Sequence, residues 1–325
     1  MHDRARYSDR TTTPLNRVTS MSAPTRVPLP AGTGPGLPAD VHRWAASAPM
    51  RDLVAAFGGT LPGTGPAELL AWLEEFSARH WDFRTAGHLE RHEIEAPGLT
   101  RAHRAAVTAA ATALGFAGAG EPPLREYDHV LVLGGMARTC VQRVRHAAGL
   151  IRQGRVRTRR VTALGSFRPL SPVERHALAG PAESEADALE TAMRDAFDAG
   201  GAPPQSGPVR ALGGGLHVLA APPGEPGARR ANTADTYRFW AAEAGAGPGD
   251  RVLIVTSPMY VPFQHCDALR LLTLPYGCLV HTVGLDARHA APAVPPAATG
   301  ADRYLQEIRS AIRSMRLLLA ATGAA

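Results

Sequence analysis

Residues 129–143, HVLVLGGMARTCVQR, decide the architecture of this chain. An apolar run stops on Gly134-Gly135 and turns at once into a helical pattern that carries Arg138, Thr139 and Cys140. Continuous apolar runs, as opposed to alternating ones, mark strands covered on both faces and hence a parallel sheet. The same grammar returns in RRVTALGS (159–166), GLHVLAAP (215–222), DRVLIVTS (250–257) and GCLVHTVG (277–284). Helical stretches separate them, at 137–154, 184–200, 232–246 and 263–273. This alternation predicts an α/β domain over 121–325, a Rossmann-like doubly wound fold on a mainly parallel five-stranded sheet. In the strand order 3-2-1-4-5, chain progression reverses between the first and fourth strands. The ligand crevice then lies between the loops that follow them, GGMARTC (134–140) and TSPMYVPFQHC (256–266).

Upstream, residues 39–120 read as a helical extension. PAELLAWLEEFSARHWDF (66–83) sets Leu69, Leu70, Trp72, Leu73 and Phe76 on one helical face, and Thr100 is placed to cap a further helix. HWDFR (80–84) is the expected contact between this extension and the sheet. Residues 1–38, rich in Thr, Pro, Arg and Gly, read as a disordered tail and lack the apolar core of a secretory signal. At the other end YLQEIRSAIRSMRLLL (304–319) predicts an amphipathic helix with Leu305, Ile308, Ile312 and Met315 inward.

Composition removes several function classes. The chain has 325 residues and a formal charge of +6, yet not one lysine; every basic residue among the 35 is arginine. That usage is the imprint of a GC-rich genome of the actinobacterial kind. Without lysine there is no Walker A lysine, no pyridoxal Schiff base and no lysine nucleophile. Acids and bases are interspersed, with no basic block to neutralise phosphates in a row, so nucleic acid is not an expected partner. No apolar run is long enough to cross a bilayer. The 3 cysteines, Cys140, Cys266 and Cys278, form no CxxC pair and fit free thiols in a reducing cytoplasm.

Candidate site residues concentrate on the strand-end loops. Gly134 and Gly135 allow close backbone approach at a helix start, where N–H groups and Arg138 suit an anion, with Thr139 beside them. A bare strand-ending turn is the plainer use of the two glycines. Thr256 and Ser257 offer hydroxyls at the end of the fourth strand, followed by Tyr260, Gln264 and His265, with Asp267 near enough to orient the histidine. Helix capping by Ser257 and a satisfied His265 are the plainer readings. After the second strand come Ser166 and Arg168, then Glu174, Glu183, Glu185 and Asp187. Carboxylates there suit proton transfer, although acids in a first helical turn usually serve the helix dipole. Asn232 reads as a cap, with Arg229 and Arg230 just before it within reach of an acidic ligand. Cys140 lacks the Cys-x5-Arg phosphatase spacing, since position 146 is His146, and it reads as core. In HLERHE (88–93), His88 and His92 have metal-ligand spacing, but no third ligand is indicated, and no metal is expected.

Over residues 127–285 the α/β half resembles the YdcF-like family, the domain of unknown function 218 with SanA- and ElyC-type members. The resemblance rests on YDHVLVLGG, SEADALETAM, RRANTADTY and RVLIVTSPMYVPFQ, in that order. It implies a Rossmann-like fold and an association with S-adenosylmethionine, and it points to Gly134, Gly135, Glu185, Asn232, Thr233, Thr256 and Ser257. Where that family carries His and Arg after Thr-Ser, this chain has Tyr260 and Phe263.

The reading as a whole is a cytoplasmic enzyme for a small molecule that is nucleotide-like, S-adenosylmethionine-like or phosphorylated, with group transfer or hydrolysis as the reaction, of a kind met in secondary metabolism. Glu185, Ser257 and His265 are its catalytic candidates. Gly134, Gly135, Arg138, Thr139, Asn232, Thr233, Thr256 and Ser257 hold the cofactor-like part, and Arg168, Arg230, Tyr260 and Gln264 the substrate. The missing three-glycine fingerprint argues against an NAD-dependent dehydrogenase. The competing class is a metabolite-binding or regulatory protein that uses the same crevice without catalysis, because no nucleophile–base pair stands out.

Overall fold

The computed structural model describes residues 26–82, 98–176, 178, 181–200, 205–225, 227–228, 230–286 and 300–323. Four helices come first: α1 (Leu37–Ala45), α2 (Ala48–Ala56), α3 (Pro66–His80) and α4 (Arg101–Ala113). Strands and helices then alternate through β1 (His129–Leu133), α5 (Ala137–Arg152), β2 (Arg160–Ser166), α6 (Pro172–His176) and α7 (Glu185–Ala196). Next are β3 (Val209–Gly213), β4 (Leu216–Ala221), α8 (Thr233–Ala244) and β5 (Arg251–Thr256). After a short 3-10 turn come α9 (Val261–Ala268), a π-helical turn at Leu269–Thr273, α10 (Leu274–Tyr276), β6 (Leu279–Gly284) and α11 (Ala301–Ala321).

The sheet has six strands in the order β3-β4-β2-β1-β5-β6. All neighbours are parallel except β3 and β4, which form an antiparallel edge pair. The expectation of five strands is therefore corrected to six. The five parallel strands are those read from apolar runs. The added strand, VRALG, alternates exposed and covered residues and has no apolar run to betray it. It turns back into β4 through Gly213, Gly214 and Gly215, all at positive φ (86°, 58° and 82°), a backbone that L-residues with side chains adopt at a cost.

Two apolar cores cover the two faces. One joins Val130, Val132, Leu253 and Val255 to α5 and α7. The other joins Leu131, Leu133, Val252 and Ile254 to α9 and α11, and runs on without a break into α1–α4 through Trp44, Leu69, Leu73 and Phe116. Leu305, Ile308, Ile312 and Met315 of α11 are fully buried in it, so the inward face read from the sequence is the packed one. Trp81 packs on Phe57 and Phe76 inside the helical region, while neighbouring Asp82 pairs with Arg309 of α11 at 2.7 Å. The described part of HWDFR, residues 80–82, thus reaches α11; residues 83 and 84 lie outside the described residues.

Thr100 caps α4 as expected, its hydroxyl accepting from the His103 N–H at 3.1 Å. The tail assignment 1–38 needs trimming. The Val27 N–H donates to Ala113 O at 2.8 Å, Arg26 to Gly115 O, and Leu37 already begins α1. Val27 is tied to the end of α4, Ala31 to Asp40 of α1 and Pro30 to His265 of α9, bonds that a sequence scan cannot see. Among the described residues no helix is long and apolar enough to cross a membrane.

Candidate functional site

The switch in strand order falls between β1 and β5, so the loops leaving their carboxyl ends diverge and open a crevice of about 1820 Å³. Its walls are the Gly134–Thr139 turn, the Arg168–Ser171 loop, the Arg230–Ala234 approach to α8, the Ser257–Tyr260 turn and one face of α11.

At its head sits Arg143, a residue the sequence reading passed over. It belongs to the second turn of α5 and is 1% exposed. Its guanidinium donates to Leu133 O at 2.9 Å, to Gly134 O, and twice to Ser257 Oγ at 3.1 and 3.0 Å. The Tyr260 ring lies 5.5 Å away, in reach of a cation–π contact. None of these partners is a carboxylate, and burial pulls the Arg143 pKa down. Arginine in a helix that begins beside the glycine turn is the signal that was available. The helix period brings position 143 back toward the loop that position 136 leaves.

Glu185 opens α7 behind the turn. Its Oε2 accepts from the Ser166 N–H at 3.0 Å and from the Ser166 hydroxyl at 2.6 Å. Burial raises its pKa, against the opposing pull of Ser166, Arg168 and Arg230. The other oxygen, Oε1, stands against Gly134, where a Cβ would come within 2.5 Å of it and 2.8 Å of Leu164 O. This is what the first glycine is for: the turn must pass under a carboxylate. The side chain lines the crevice, and Oε1 has no hydrogen-bond partner among the described residues.

Arg168 and Glu174 form a second charged unit. The guanidinium meets the carboxylate through both terminal nitrogens, at 2.9 and 2.8 Å, and also donates to Gly135 O at 3.0 Å. Glu174 Oε1 accepts from the Ala137 N–H at 3.1 Å, so the first N–H of α5 is met by the protein's own carboxylate. Arg168 is thus committed to Glu174. Arg138 lies next on the same helix start, exposed at the crevice, with no polar partner among the described residues. Thr139 lines the crevice beside it.

The remaining candidates divide by position. Ser257, Tyr260, Gln264, Arg230, Asn232 and Thr233 all line the crevice. The Ser257 hydroxyl makes no capping bond and is taken by Arg143. Asn232 is a cap, accepting from the Asp235 N–H at 3.1 Å. Thr256 is fully buried, donates to Gln264 Oε1 at 2.5 Å, and lies behind the crevice wall.

His265 is brought elsewhere. Its Nε2 meets Pro30 O at 2.8 Å and its Nδ1 meets Thr282 Oγ1 at 3.1 Å, and burial pushes its pKa down to about 4. With both nitrogens engaged away from the crevice, it fastens Pro30 to α9 and β6. Asp267 does not orient it; that carboxylate accepts from Arg270 at 3.1 Å and from Ser314 at 3.2 Å. Cys140 is buried, with burial raising its pKa to about 12. HLERHE (88–93) lies outside the described residues.

Comparison with known proteins gives the lineage. Residues 31–115 match the Rv3785 N-terminal domain family. Rv3785 of Mycobacterium tuberculosis is 33% identical over 86% of this chain and 88% of its own, and Mb3814 of Mycobacterium bovis matches to the same extent. The chain belongs to the Rv3785 family. The resemblance to the YdcF-like family is thereby corrected: its four short segments are strand ends and helix starts of an α/β sheet and do not mark a family. The S-adenosylmethionine association drawn from it goes with it. No solved structure matches the chain.

Proposed function

We propose that this protein is a cytoplasmic enzyme that binds a phosphate-bearing small molecule in a Rossmann-like crevice and catalyses its hydrolysis or the transfer of a group from it. The buried guanidinium of Arg143, bonded only to neutral groups between the two strand-end loops, carries this reading. A buried cation without a bonded carboxylate is costly, and an anion at the same place removes the cost. Arg138 adds to the pull, and arginines outnumber carboxylates along the lining. Glu185, lifted by burial and with Oε1 at the crevice, is suited to accept the proton of an attacking water or hydroxyl. The buried, unpaired thiols Cys140, Cys266 and Cys278 suit a reducing compartment.

One observation favours the non-catalytic alternative. Those three thiols are buried, and both nitrogens of His265 are engaged, so among the described residues neither residue type offers a nucleophile or base at the crevice.

The test is a thermal-shift and calorimetry panel of inorganic phosphate, nucleotides, sugar phosphates and S-adenosylmethionine, with turnover followed by mass spectrometry. The expected result is a phosphorylated ligand that stabilises the protein and is converted, with conversion lost in Glu185→Gln. Binding without conversion selects the regulatory reading. Arg138→Ala and Ser257→Ala variants that bind the ligand as tightly as the parent protein would overturn the site.

A further inference from the structure

The crevice extends well past Arg143, and its far end has a different chemistry. One wall is a single face of the α9 segment, on which Tyr260, Gln264, Asp267 and Arg270 follow at helical spacing. Arg270 falls in the π-helical turn Leu269–Thr273, an irregularity that occurs disproportionately at functional sites. The facing wall is the polar side of α11, where Gln306, Ser310 and Ser314 recur at four-residue spacing and point to the same crevice. Ser314 joins the two walls by donating to Asp267 Oδ1 at 3.2 Å.

Two buried donors there are unmet. Gln306 is 7% exposed, yet its Nε2 has no hydrogen-bond partner among the described residues, and neither does Arg270 Nε. Buried polar groups are almost always satisfied, so exceptions at a cavity wall need an explanation. A ligand that brings acceptors is one.

We propose that this end is a carbohydrate subsite, so that the ligand is a phosphorylated sugar held by its phosphate near Arg143 and by its hydroxyls between α9 and α11. The proposal rests on the phosphate reading of the head of the crevice and deepens it. A carboxylate acceptor (Asp267), an amide that both gives and takes (Gln306), hydroxyls (Ser310) and a guanidinium donor (Arg270) together match vicinal hydroxyls, each of which is donor and acceptor at once. From Tyr260 to Arg270 the helix rises about 15 Å, at 1.5 Å per residue, which leaves room for a phosphate and a sugar ring in line.

Calorimetry on the full chain tests this with inorganic phosphate, glycerol 3-phosphate and a set of hexose and pentose 1-phosphates. At least one sugar phosphate is expected to bind ten-fold or more tightly than both non-sugar ligands. Gln306→Leu and Asp267→Asn are expected to erase that gain, bringing the sugar phosphate down to the affinity of phosphate alone. Ser310→Ala, on a half-buried position, keeps the test open if either variant fails to fold, with a several-fold loss expected for the sugar-bearing ligand. The subsite is overturned if no sugar phosphate exceeds inorganic phosphate, or if the gain survives every folded variant. Failure of all phosphate species to bind overturns the parent reading as well, which separates the two failures.

Discussion

Arg143 and Ser257, 114 positions apart in the chain, are joined by two hydrogen bonds at 3.1 and 3.0 Å across the gap between β1 and β5. The guanidinium also closes on the two carbonyls that end β1. One side chain therefore fixes the distance between the loops that form the head of the crevice. Arg143→Lys keeps the charge but has no fork, so it cannot serve both loops together. Phosphate-ligand affinity should fall by about 1.5–3 kcal/mol, the usual range for a hydrogen bond to a charged group, or roughly 10- to 150-fold. Titration calorimetry on the variant checks this, with circular dichroism to verify the fold.

The two glycines of the turn should behave differently. A Cβ at Gly134 would meet Glu185 Oε1 at 2.5 Å and the backbone oxygen of Leu164 at 2.8 Å, and the latter sits in a central strand and cannot yield. At Gly135 the nearest atoms are 3.5 Å away or more, an ordinary contact. Gly134→Ala is expected to cost about 1–3 kcal/mol of stability, in the range of an overpacked core. Gly135→Ala should lie within about 0.5 kcal/mol of the parent. Urea denaturation of both variants measures the difference.

Acid should loosen the loop that carries Glu174. Burial alone would raise the pKa of this carboxyl, but Arg168 and the N–H groups of Ser171 and Ala137 outweigh it and hold the group at about 2, against an ordinary 4.5. An acid with a depressed folded pKa stabilises the native state fully above its unfolded pKa and loses that contribution as pH falls. Stability should therefore decline as pH drops from 4.5 toward 2. In Glu174→Gln the decline over that window should be shallower, with Asp128, held at about 2 by its bonds to Arg251, supplying part of what remains. Thermal melts across the acid range give the comparison.

The thiols should be silent until the protein unfolds. Burial pushes Cys140 to about 12 and Cys278 to about 11, and raises Cys266 as well. Thiolate is the reactive form, so a chromogenic disulfide reagent should detect no thiol in the native protein and all 3 in denaturant. Rapid labelling of a native thiol would contradict the buried placement of these side chains.

What the sequence disclosed follows from what leaves a local signature. Val130, Leu131, Val132 and their counterparts in the other parallel strands are buried on both faces and so form unbroken runs. Thr100 and Asn232 cap helices through residues three positions away, well within a short motif. Strand β3 left no such mark because one of its faces is wet. Glu185 was legible as an acid at a helix start, but its place under Gly134 depends on β2 carrying Ser166 to the same point, which is a tertiary fact. Arg143 was hidden for the same reason, since half of its partners belong to a strand-end loop more than a hundred residues on. His265 drew attention as a ring beside Ser257, and only the path of Pro30 reveals that it serves as a fastening.

The apolar core shared by α1–α4, α11 and one sheet face bears on how such proteins are cut for study. The family boundary at residues 31–115 marks a division of sequence. A fragment ending there would present Leu69, Leu73 and Trp44 to water where Ile308, Ile312 and Met315 should cover them, and it should clump in solution. The full 325-residue chain, by contrast, is built to melt in one step, because a single apolar core runs from its helical into its sheet-bearing part.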